Sequence, residues 1–174
     1  MDLQFITTQM ESNVTAIQAL ARGVSDEQAR WRPGPDDWSL LEVINHLHDE
    51  EIEDFKAHLD LILHHPGEPW PAIDPQGWVT QRGYNQRDPA SSLGHFLRAR
   101  EASLRWLKEL PAPDWQATYQ APFGPIRAGD MLAAWVAHDL LHLRQIVELH
   151  WTYTNRQVRP YGTRYAGPWQ PEPA

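Results

Sequence analysis

The chain has 174 residues, 41% of them apolar, which suits one globular domain with a core of its own. Its formal net charge of −8 argues against nucleic acid or an anionic membrane as the main partner, since both need a basic footprint. The absence of cysteine excludes disulfides, thiolate metal ligands and a cysteine nucleophile; with no apolar run near the roughly 20 residues of a membrane span and no signal-peptide pattern in MDLQFITTQMESN, a cytoplasmic location is expected.

In chain order, the first amphipathic helix is predicted from about Asp2 to Arg22, with Leu3, Ile6, Met10, Ile17 and Leu20 on one stripe. Ser25 to Gln28 has the capping-box pattern of a short helical turn, and WRPGPDDW then breaks the chain. A second long helix opens at Ser39, where Ser39 and Glu42 form another capping box, and runs to about His64. His65 to Pro89 reads as a long ordered loop anchored by Trp70, Ile73, Trp78 and Tyr84. The third helix starts at Ser91 or Ser92 and ends at Leu110, with Leu93, Phe96, Leu97, Leu104 and Leu107 on its stripe.

Ala117 to Ala128 fits a small hairpin around Pro122-Phe123-Gly124, although its prolines limit pairing. The fourth helix runs from about Gly129 to Trp151. Together these elements predict an all-α, up-down four-helix bundle, with a long loop between its second and third helices and a short hairpin before the fourth. The expected division is a bundle domain over residues 1–154 and a Pro- and aromatic-rich tail over 155–174, packed on the domain or on a second subunit of a homodimer.

The fourth helix contains WVAHDLLHLRQI. With Met131 at zero on a helical wheel, His138 and His142 fall within about 20° of it, on the apolar face. Side chains at i and i+4 stand close enough to reach one metal ion. The competing reading is two buried histidines bonded to other side chains, and the pattern alone does not choose between them. A third ligand must come from another element. The second helix offers His46 at the edge of its apolar arc and His48 further inside, and periodicity leaves that choice open. His58 falls on the inner face nearer the far end, whereas His64, His65, His95 and His150 read as solvated or capping residues.

Trp38-Ser39 with Glu42-Val43 and His46-Leu47, followed by the Phe123-Gly124-Pro125 turn and HDLLHLRQI, resembles the DinB-like/YfiT-like superfamily of metal-binding four-helix proteins. The resemblance covers the second helix with its entry, the turn and the fourth helix. It implies a divalent metal held by His46, His138 and His142, and so selects His46 over His48. Three ligands leave coordination positions open, the pattern of a catalytic site. Imidazole suits Zn or Ni, with Fe, Mn or Cu as alternatives. Glu50, one turn beyond His46, is a candidate base or fourth ligand. Asp139 and Gln145 flank the ligand face as candidate partners of the ligating rings.

Members with thiol-dependent chemistry imply transfer of a low-molecular-weight thiol to a small electrophile, with the thiol supplied by a cosubstrate. The alternatives are a non-catalytic metal-binding stress-response protein and a metal-assisted hydrolase.

Overall fold

The fold was analysed in a computed structural model that describes residues 1–169. Seven α-helices follow one another in it: α1 (Leu3–Ala21), α2 (Asp26–Arg30), α3 (Leu40–Asp49), α4 (Lys56–His64), α5 (Pro75–Gln81), α6 (Pro89–Glu109) and α7 (Ala128–Gln157). A π-helical segment, Glu50–Phe55, joins α3 to α4 without a break, so the three make one rod. Helix starts follow local chemistry. Asp2 caps α1 by accepting from Phe5 N–H, and Ser25 caps α2 by accepting from Gln28 N–H. At α3 the capping box is complete, with Ser39 Oγ accepting from Glu42 N–H at 3.2 Å and Glu42 Oε2 from Ser39 N–H at 2.8 Å.

Three segments differ from the sequence expectation. The connection after α4 is not irregular throughout, because Asp74 caps α5 with Pro75 in its first turn, and Tyr84–Gln86 add a 3-10 turn. Trp78, Val79 and Tyr84 bury as a small core of their own. The Tyr84 hydroxyl donates to Asp49 at 2.6 Å and pins the connection to α3. α6 begins at Pro89, two residues early, because Asp88 caps it by accepting from Ser91 N–H at 2.7 Å.

α7 continues to Gln157, so the helix crosses the expected domain limit at residue 154. Beyond it Trp169 stacks on Trp151 at 4.9 Å, which lays this part of the tail on its own domain, while Tyr161 and Tyr165 remain exposed. The last five residues of the expected tail lie outside the described residues. The hairpin is present as β1 (Thr118–Ala121) and β2 (Gly124–Arg127), antiparallel, with Ala121 opposite Gly124. Pro122 and Phe123 form the turn, and Gly124 takes a φ of 122° that suits glycine.

α1, the α3–α4 rod, α6 and α7 form the bundle. α7 runs antiparallel to the rod, as His46 beside His142 and Phe55 beside Trp135 show. It runs parallel to α1, where Asn13 meets Asp139 and Leu20 meets His150. α6 is parallel to the rod, since Asn45 meets Ser92 and Glu51 meets Arg100. The long helices therefore point up, down, down and up. The expected alternation is interrupted once, between the second and third, where the long connection after α4 allows a crossover. No helix among the described residues is long and apolar enough to cross a membrane.

Candidate metal centre

His46 projects from α3 into the bundle, and His138 and His142 project from the facing turns of α7. The three residues offer ligand atoms that all lie within 4.8 Å of one another. His142 Nε2 stands 3.1 Å from His46 Nε2 and 3.0 Å from His138 Nε2. The Trp38 ring lies edge-on to His46 at 4.9 Å, and Phe55 lies 4.9 Å from His138. These rings wall two sides of the cluster, while another side opens on a cavity of about 650 Å³ that Gln76, Arg144 and Glu148 also line.

Burial, and after it the proximity of His142, pulls His46 and His138 down to about pKa 3. Burial also lowers His142. The rings are thus neutral at pH 7, the form in which imidazole donates a lone pair to a metal. His142 Nδ1 lies 2.8 Å from Gln145 Oε1. An amide oxygen only accepts, so Nδ1 carries the proton and Nε2 presents its lone pair. Three neutral rings cannot satisfy one another at such a convergence, because a single N–H serves one contact. Nitrogens 3.0–3.1 Å apart can share one ion at the usual Zn–N distance of about 2.0–2.1 Å. His46 Nδ1 is buried without a hydrogen-bond partner among the described residues, the one side-chain atom of which that is true.

Glu50 is the first residue of the π segment, a feature frequent at functional sites. The residue is 4% exposed, with Oε2 3.5 Å from His138 Nε2 and Oε1 4.0 Å from His46 Nδ1. Burial, reinforced by Asp54, raises its pKa to about 8. The other expected residues divide. Gln145 sits against a cluster histidine. Asp139 does not: its oxygens accept from Arg100 at 2.6 and 2.8 Å and from Asn13 at 3.3 Å, turned away from the rings.

His48, which lies deeper in the apolar arc on the wheel, turns aside to Asp49 at 2.8 Å and stays half-buried. His58 is fully buried and bonded to Asp54 and to the Pro71 carbonyl, remote from the cluster. His150 is a capping residue: half-buried, its Nε2 donates at 2.8 Å to the Leu20 carbonyl in the last turn of α1.

A family description, the DinB superfamily, matches residues 9–146. This chain belongs to the DinB superfamily. The structure of this DinB-superfamily chain is similar to that of YfiT from Bacillus subtilis, with a TM-score of 0.74 over 84% of this chain and 85% of that one, at 18% sequence identity. YfiT is described as "a probable metal-dependent hydrolase with an unusual four-helix bundle topology". The likeness is one of fold. No protein of curated function matches the chain.

What sequence reasoning missed in this DinB-superfamily chain is a second buried polar group beside the first. Arg100 donates to Glu51 at 2.8 and 2.7 Å as well as to Asp139, and Trp135 Nε1 donates to Glu51 at 3.0 Å. A signal was present. Arg100 lies four residues from both Phe96 and Leu104, Glu51 four from both Leu47 and Phe55, and Asp139 four from Trp135. Each charge falls on the apolar line of its helix, and three such interruptions point at one another.

Proposed function

We propose that His46, His138 and His142 hold one divalent transition metal and that the chain is a metal-dependent hydrolase of a small molecule. The observation that carries this reading is the convergence of three neutral imidazole Nε2 atoms on one point, at the floor of an open cavity. A bound divalent ion supplies Lewis acidity, lowering the pKa of a water or thiol at the positions the histidines leave free.

The chain's own residues supply the rest. Gln145 fixes the His142 tautomer, and Trp38 and Phe55 limit solvent around the rings. Glu50, within 4 Å of two cluster rings, would in its carboxylate form, which a bound cation favours, take the proton of the attacking nucleophile and return it to the leaving group. YfiT's description as a metal-dependent hydrolase supports water as that nucleophile.

Transfer of a low-molecular-weight thiol is the second reading. It is favoured by the cavity of about 650 Å³, far more room than a water molecule needs. The chain has no cysteine, so the thiol would be a cosubstrate.

The test is metal analysis of purified protein followed by two activity panels on the reconstituted form: esters and amides, and a thiol with electrophiles. Expected are one metal per chain, metal-dependent cleavage in the first panel, and a loss of turnover in Glu50→Gln with metal content retained. Conjugation in the second panel alone would establish the thiol reading. Stoichiometric metal with neither activity would make this a metal-binding protein, and a wild-type chain without metal after reconstitution would end the proposal.

A further inference from the structure

The cleft between the α3–α4 rod and α7 does not end at the histidines. Facing residues step along it in antiparallel register: His46 with His142, then Glu50 with His138, then Phe55 with Trp135, whose rings stack at 6.0 Å. A second cavity of about 470 Å³ adjoins that stretch. Asp54, one turn past Glu50, lines it, and so does Ala134, one turn before His138. The covering segment repeats the order, since Ala72 and Ile73 line the second cavity while Pro75 and Gln76 line the metal cavity. Three separate elements therefore place the two cavities side by side along one groove, about 6 Å apart along either helix.

The chemistry of the two differs. Trp70, Ile73, Phe123, Ile126 and Met131 give the second cavity apolar walls, and among the described residues no lysine or arginine lines it. Trp70 stacks flat on His58, at 4.0 Å and 13°. His58 has both ring nitrogens occupied by Asp54 and the Pro71 carbonyl. Phe123, at the hairpin turn, is 70% exposed on the rim. A large aromatic left in water beside a concave apolar wall marks a binding site rather than a core. Glu50 lines the metal cavity and Asp54 the second, and the Asp54 carboxyl group is already engaged with His58 at 2.7 Å.

We propose that this cavity is the specificity pocket of the site, and that it takes an uncharged aromatic or branched apolar group of the substrate while the reactive group lies at the three histidines. The inference rests on the metal-dependent reading. It narrows the substrate class to molecules carrying a neutral apolar group a few bonds from the bond that reacts.

The experiment uses the full chain loaded with cobalt(II) and a ladder of hydroxamates: acetohydroxamate, then phenyl hydroxamates with none to three methylenes before the ring. Binding is read in the visible absorption of the metal and, separately, in the NMR signal of the Met131 methyl. Acetohydroxamate should bind, and the best phenyl member should bind at least about tenfold more tightly. Ala134→Trp, at an exposed helix position that fills the cavity, should abolish that gain while acetohydroxamate still binds.

Equal affinity along the ladder overturns the pocket, as does a gain that Ala134→Trp leaves intact. If acetohydroxamate itself fails to bind, the metal reading falls and the pocket is judged on metal-free protein. There benzyl alcohol must shift the Met131 methyl in wild type and not in Ala134→Trp, and any other result removes the pocket too.

Discussion

Two buried polar groups sit back to back in this bundle and draw on the same helices. Glu50 and His138 belong to one; their chain neighbours Glu51 and Asp139 belong to the other. In the Arg100 group the protein answers every charge with its opposite, through a guanidinium 1% exposed that holds two carboxylates, with Trp135 and Asn13 filling in. In the histidine group like faces like. Three Nε2 atoms meet, one buried Nδ1 lacks a partner, and the nearest carboxyl group is held at a pKa of about 8. Burial alone does not make a site. The first arrangement is closed, whereas the second leaves ring lone pairs that a bound cation would satisfy.

The sharpest way to break this comparison is to remove one member from each group. Arg100→Ala leaves Glu51 and Asp139 buried and unpaired, and should lower unfolding free energy by about 3–5 kcal/mol. His138→Ala, in metal-free protein, should move stability far less, yet metal content should fall close to zero. Denaturant midpoints and metal analysis on both variants decide it; equal losses of stability would mean that both groups are structural. If Arg100→Ala does not fold, Arg100→Met, which keeps much of the packing, serves in its place.

Metal should stabilise the fold by mass action. A free concentration a hundred times Kd adds about 2.7 kcal/mol, so chelation should lower Tm. The helices bury a core of their own, and the chelated protein should stay helical by circular dichroism. Complete unfolding on chelation would count against an enzyme site and for a structural ion.

The smallest effect is the pH dependence of the metal-free protein. His46 and His138 have folded pKa values of about 3, below the ordinary 6.5. Below pH 6.5 the unfolded chain takes up protons that the folded rings refuse, so their contribution is complete above pH 6.5 and is lost on the way down to pH 3. Glu50, raised to about 8 from 4.5, acts oppositely: its contribution is complete below pH 4.5 and is lost as pH rises to 8. Between pH 6.5 and 4.5 the lowered rings, His142 among them, oppose one raised carboxyl group, so stability should fall on acidification. Thermal melts across that range check it, and His46→Ala should make the slope shallower.

Much of this was legible in the sequence, for definite reasons. Long amphipathic stripes and capping boxes state a helix locally, so the four long helices could be read directly. The pairing of His138 with His142 follows from helical spacing alone. The choice of His46 over His48 does not follow, because the wheel put His48 deeper, and only the way α3 is rotated against α7 turns it aside to Asp49. The π segment was equally silent, since EEIEDF is composed like any acidic helix. The parallel course of the rod and α6 is set by how the long connection crosses the bundle, and no local pattern records that. Asp139 was misread because its neighbour in sequence, His138, faces a different group in space.

α7 carries two of the three clustered histidines and one of the carboxylates that grip Arg100, and it is the last long helix among the described residues. Chains are synthesised from the N-terminus at about 5–20 residues per second, and a domain folds as a unit. Until residues beyond His142 have left the ribosome, the nascent chain holds one histidine of the cluster, and of the two carboxylates that grip Arg100 it holds Glu51 alone until Asp139 follows. The site therefore cannot assemble before α7 is made, and a chain stalled or cleaved before α7 would hold one of the three clustered histidines.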